Sequence, residues 1–392
     1  MCSSDLPPRR PRVYDTWQML ALPEPDVLDA LDCDVVCVEQ QLCTNAFDDP
    51  AQWHPYDFNG RLPALVQHPE AFTTLPDGTI VQNGQSFMPP SAHVFETPGA
   101  GQELDLDHDP QPFDLAALEE ECRRQVPTAE QVQAIAAYCA RARAATDRAI
   151  MYAGLGPGLG FHGGMPRFTM LCLTRPDHIH ALHELRVRYA LAAIDRLLPV
   201  IAPHVDILML AADDQGTQSG PVLPPPVFRE LFVPYYRRVN DHVHRLAPQV
   251  KTFLHCCGAV YDLLVDIIAA GFDALNPVQW SGGSATVRQW KDKARGRLTL
   301  WGGGVNTQTT LPFGSAADVE REVRAVVPVL AADSGYVFCA IHNILAEVPP
   351  ENVIALYRAA RQTGQPPSRH HRDTRPENHA AGTVSPQSIR SA

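Results

Sequence analysis

The chain has 392 residues, is 45% hydrophobic and 19% charged, and carries a formal charge of -12. That acidic balance argues against a nucleic-acid binder, because neutralising phosphates needs a basic face. The most apolar stretch, residues 189–202, is interrupted by Asp195 and Arg196 and reads as an amphipathic helix, so no membrane span is expected. Ten cysteines without regular spacing do not form a secreted disulfide framework. They read as thiols of a cytoplasmic protein, free for burial or for metal.

In chain order, the first six residues, MCSSDL, match what a common sequencing-adapter end encodes in one reading frame, so Cys2 carries no weight. Residues 1–12 read as a leader, and they lack the apolar core of a signal peptide. DCDVVCVE (32–39) reads as a strand, PDGTIVQNGQSFMPP (76–90) as a β-hairpin in an irregular, proline-rich insertion, and residues 127–146 as a long helix. From residue 149 onward a short apolar run alternates with an amphipathic stretch. The runs are AIMYAG, VDILMLA, VKTFLH, FDALNP, RLTLWGG and GYVFCA. Helical patterns cover 180–200, 226–246, 259–270, 316–330 and 350–361, several opening on proline, acids or, at Ser315, a capping serine.

Strands alternating with helices imply a parallel sheet with right-handed crossovers. Six such units, and no Gly-x-Gly-x-x-Gly turn after an early strand, favour an α/β fold of the (β/α)8 TIM-barrel type. One barrel domain over residues 13–365 is expected, with the hairpin-containing extension decorating one end. Residues 366–392 have almost nothing to bury and should be disordered.

In such a barrel, chemistry sits at the C-terminal ends of the strands. Three of those ends carry reactive groups. In FLHCCG, strand alternation puts His255 and Cys257 on one face and Cys256 on the other, and Gly258 lets the chain turn away. Imidazole with thiolate suits zinc, although two ligands are not yet a site and a packed histidine beside buried cysteines fits as well. GYVFCAIHNI offers Cys339 and His342 as third ligands, although Cys339 taken singly is better suited to filling the barrel core. LAADDQGTQSGP places Asp213 and Asp214 in a loop where a carboxylate serves a metal, a base or a turn. His178, His180, His183, His242 and His244 lie on or beside helices and read as solvated, while His370 and His371 belong to the tail.

At these strand ends the sequence resembles the uroporphyrinogen decarboxylase superfamily, and its methyltransferase-like branch more than the decarboxylase itself. The likeness runs through ILMLAADDQGTQSGPVLPPPVFRELFVPYYRRV, FLHCCGAVYDLLVDIIAAGFDALNPVQ, LTLWGGGVNTQTTLPFGSAADVEREV and GYVFCAIHNILAEVPPENV, about residues 205–361. The resemblance implies a (β/α)8 barrel and, in that branch, zinc held by a His-x-Cys pair and a later cysteine. His255 and Cys257 match the pair. At the later position this chain has His342, with Cys339 three residues earlier, so His342 is the first choice and Cys339 the alternative.

The branch's chemistry is methyl transfer between a corrinoid and a thiol or another small methyl donor or acceptor. Asp213 or Asp214 would then complete the metal shell, act as base or orient substrate, with Gln279 and Asn306 as polar substrate contacts. No Asp-x-His-x-x-Gly corrinoid signature is present, so the corrinoid should arrive on a separate protein partner. Two rival readings stand beside this one. A decarboxylase of the uroporphyrinogen type would need no metal, but the family's arginine-bearing RQAGRY-type motif is missing. A non-catalytic barrel subunit is the other.

Overall fold

The computed structural model describes residues 9–43, 48–96 and 110–363. Its centre is a curled, seven-stranded, all-parallel sheet. The strands are β1 (Val35–Glu39), β2 (Ala149–Ala153), β3 (Ile207–Ala212), β4 (Lys251–His255), β5 (Ala274–Asn276), β6 (Thr299–Trp301) and β7 (Tyr336–Val337). They lie in sequence order, β1 and β7 at the edges, and each is followed by helix. The α/β barrel class expected from the rhythm is therefore what forms, with seven hydrogen-bonded strands among the described residues where eight were expected.

Alternation along the strands makes two apolar layers. Met151, Ile207, Phe253 and Ala274, with Val35, Met209 and Trp301 against them, come from six strands and fill the inside of the curl. The intervening residues, among them Leu208, Leu254 and Leu275, join the larger core under the helices. Capping boxes at Thr128, Thr286 and Ser315 start three of the helices, each worth about 1 kcal/mol. The helix expected over 226–246 is two, Pro225–Leu231 and Val233–Leu246, broken at Phe232. Pro234 explains the break, since it offers no N–H and its ring crowds the carbonyl four residues back.

His183 corrects an expectation. It is fully buried on the helix Pro176–Ile201, in line with Ile179, Val187, Ala190 and Ile194, and its Nδ1 meets the Leu231 carbonyl at 2.8 Å. Helical spacing put it on the packed face, and burial pushes its pKa down to about 4.

The extension has a core of its own, with Phe58, Phe72, Ile80, Met88 and Phe95 at its centre. The expected hairpin forms as Ile80–Gln82 and Ser86–Met88, turning at Asn83 and Gly84, and Phe72–Thr74 adds a third strand. The tail expected to be disordered lies outside the described residues. No helix among the described residues is long and apolar enough to cross a membrane, and the described cysteines are all free.

Candidate metal centre

β4 delivers the first two groups. Phe253 belongs to the inner layer and Leu254 to the outer one, so His255 and Cys257 continue inward while Cys256 turns out and is almost fully buried. Gly258 has φ +91°, and a Cβ there would sit 2.2 Å from the Gly216 carbonyl carbon. Two glycines thus let the loops after β3 and β4 touch, and the contact is pinned by Gly216 N–H to the Cys257 carbonyl (3.1 Å) and Ala259 N–H to the Thr217 carbonyl (2.8 Å).

His342, from the loop after β7, completes a cluster. The ligand atoms of His255, Cys257 and His342 all lie within 4.8 Å of one another, and the two imidazole centroids are 5.8 Å apart. Cys339 is not in this group. It lies behind it, its sulfur 3.9 Å from the Asn276 amide nitrogen, with burial pushing its pKa up to about 12.

The three residues fit a zinc ion on the chemistry of their donors and on what orients them. Asn276 faces His255 because they are paired positions on adjacent parallel strands. Its Nδ2 donates to the Trp301 carbonyl (3.1 Å), so its Oδ1 is the atom presented to His255 Nδ1 at 2.7 Å. His255 must then carry its proton on Nδ1, which leaves the Nε2 lone pair aimed at Cys257 Sγ, 3.1 Å away. Partial desolvation at the cavity wall, with the His255 imidazole nearby, shifts the His342 pKa below its ordinary value, which favours the neutral, ligating ring. The Cys257 thiol is held well above its ordinary range by burial and by the neighbouring Asp214 carboxylate, so a metal must displace its proton.

The two aspartates divide. Asp213 is buried, with one oxygen accepting from Gly160 N–H (2.8 Å) and the other from the Tyr236 hydroxyl, and burial raises its pKa. Asp214 is exposed, and its Oδ1 accepts the Cys257 N–H at 2.9 Å. The register explains the split. β3 pairs Met209 with Phe253 but Ala211 with Leu254, so an irregularity at Leu210 shifts the alternation by one residue. Gly156 lies against that spot, where a Cβ would come 1.7 Å from the Leu210 carbonyl oxygen.

A cavity of about 580 Å³ opens beside the cluster. Cys257, His342 and Gln279 line it. Gln279 accepts the Gly258 N–H (2.8 Å) and thereby braces the β4 loop. Asn306 does not line the cavity. Its side chain accepts the Gln308 N–H (2.8 Å) in a local turn, and Thr307 and Gln308 form the wall instead. Reading the sequence missed Asn276, although a polar residue ending the strand next to FLH was the available signal. It also missed Trp17, Gln18, Val94 and Phe95, with which the extension closes one side of the cavity.

Fold and site together define an α/β barrel protein that gathers its reactive side chains at the C-terminal mouth of the sheet. Residues 160–363, more than half of the chain, match the family model described as uroporphyrinogen decarboxylase (URO-D), and the chain belongs to that family, an enzyme superfamily. It is similar to the uroporphyrinogen decarboxylase of Syntrophotalea carbinolica, 28% identical over 218 residues, which are 52% of this chain and 59% of that protein. The uroporphyrinogen decarboxylase of Geobacter metallireducens is 26% identical over 224 residues, 54% of this chain and 62% of that protein. The matches thus span about three-fifths of those relatives' lengths. Among solved structures, a methyltransferase from Methanosarcina mazei superposes with a TM-score of 0.52 at 19% identity, covering 91% of this chain and 95% of that one. At that identity the likeness is one of fold.

Proposed function

We propose that the protein is a zinc-dependent methyltransferase that moves a methyl group between a corrinoid, carried on a separate protein, and a thiol. One observation carries the reading: two imidazoles and a thiol converge within 4.8 Å at the wall of a cavity, a three-ligand set with room for a fourth partner. His255, Cys257 and His342 would hold the ion. Bound there, zinc supplies a Lewis acid that lowers the pKa of a coordinated thiol.

The chain's own residues do the positioning. Asn276 fixes the His255 tautomer, the glycine contact fixes the Cys257 loop, and Asp214 holds the Cys257 backbone at the mouth. In the transfer, the substrate thiol gives its proton to solvent and its sulfur forms the new S–CH3 bond. The electron pair of the broken carbon–cobalt bond stays with the corrinoid.

A second reading is favoured by the names of the sequence relatives, which are decarboxylases. Against it stands the cavity wall, which among the described residues contains no arginine or lysine to meet the carboxylates of a tetrapyrrole. The test is demethylation of methylcobalamin by purified protein with a panel of small thiols, followed by visible absorption. Thiol-dependent loss of the methylcobalamin spectrum, abolished in Cys257→Ala, supports the transferase. Carboxyl loss from uroporphyrinogen without methyl transfer supports the second reading instead.

A further inference from the structure

We propose that the mouth cavity selects a thiol bearing no anionic group, an inference that rests on the thiol-transfer reading above. Among the described residues, none that lines the cavity is Lys, Arg, Asp or Glu, and its titratable members are Cys257 and His342. The carboxylate next to it, Asp214 on the Cys257 N–H, adds negative charge to that side.

The rest of the wall suits an uncharged molecule. Trp17 presents a half-exposed indole (47%) and Leu345 an apolar edge, while Gln218 and Gln308 offer amides. Gln218 accepts from Gln279 Nε2 at 3.3 Å, and Gln279 in turn accepts from Gly258, so the acceptor of Gln218 is taken and its N–H pair is left for a ligand. Those N–H groups, with the Gln308 amide, can bond a hydroxyl or a carbonyl. A sulfonate or carboxylate tail would lose its hydration against an indole and neutral amides, with a like charge close by and no cation to pair it. The thiolate of Cys257 and the Asp214 carboxylate together offset a divalent ion, so the centre has no surplus positive charge to hold a second anionic group on the substrate.

The test uses full-length protein loaded with cobalt(II), in which Cys257 already gives a sulfur-to-metal absorption band and a coordinated probe thiolate adds to it. The probes are 2-mercaptoethanol and 2-mercaptoethanesulfonate, alike in reach and unlike in tail charge. The neutral thiol should bind roughly fivefold more tightly, the effect of one like-charge contact at about 4 Å in a solvent-filled mouth of near-water dielectric. Gln308→Lys, an exposed wall position, should narrow or reverse that preference. Equal or tighter binding of the sulfonate by the unaltered protein overturns this inference and leaves the methyl-transfer reading standing. No increase of the sulfur-to-metal band with either probe overturns the thiol reading and this inference with it.

Discussion

The strand ends of β3 and β4 carry the same design twice. Each has two adjacent reactive residues, Asp213–Asp214 and Cys256–Cys257, and in each pair the first member is buried under the helices while the second reaches the mouth. Asp213 ties β3 to Tyr236 and Gly160, and Cys256 accepts the Gln215 N–H at 3.4 Å, so both hold the scaffold together. Asp214 and Cys257 meet each other across the two loops. Residue type alone therefore says little here. The side of the sheet decides whether a carboxylate or a thiol is structural or available for chemistry.

That contrast can be broken by substituting each member in turn. Cys257→Ala should reduce methyl transfer from methylcobalamin to background, whereas Cys256→Ala should keep it and cost about 1 kcal/mol of stability for the lost packing. Equal loss in both, with folding retained, would erase the distinction. In the aspartate pair, Asp213→Ala leaves the Tyr236 hydroxyl and the Gly160 N–H without an acceptor and should destabilise the fold by about 2–4 kcal/mol in urea melts. Asp214→Ala, at an exposed site, should cost under about 1 kcal/mol.

Asn276→Ala sharpens the account of the centre, since it removes the partner that sets the His255 tautomer. Zinc affinity, measured by competition with a chromophoric chelator, should fall about 10–100-fold with little change in stability. An unchanged affinity would mean that Asn276 does not orient the ligand. The remaining effect is that of pH. Cys257 is held protonated through the neutral range and must lose that proton to ligate, while His342 is already neutral. Zinc affinity should therefore rise with pH, about tenfold per unit near neutrality. A flat profile would show that no thiol proton is displaced.

Much of this was legible in the sequence, and what was not has physical causes. Period-two alternation is enough to put His255 with Cys257 and to set Cys256 apart, and the βα rhythm located six of the seven strands from residue 149 onward. Alternation fails in β3, where counting on from Met209 would send Asp213 inward. The irregularity at Leu210 reverses the parity, and it arises from a backbone packed against Gly156, a contact between segments distant in sequence. Asn276 escaped for a similar reason, because its role exists only once β5 is in register with β4. His183 reads as solvated when judged by its type, and only its helical spacing with Ile179 and Val187 shows that it is buried. The contribution of Trp17 and Phe95 depends on how the extension folds back over the mouth, which no local pattern records.

Elemental analysis of the purified protein decides whether His255, Cys257 and His342 form a metal centre. One zinc per chain is expected, lost in His255→Ala and in Cys257→Ala while circular dichroism stays unchanged, and retained in Cys339→Ala. Protein purified without metal that takes up no added zinc, or zinc retained in the first two variants, would contradict it.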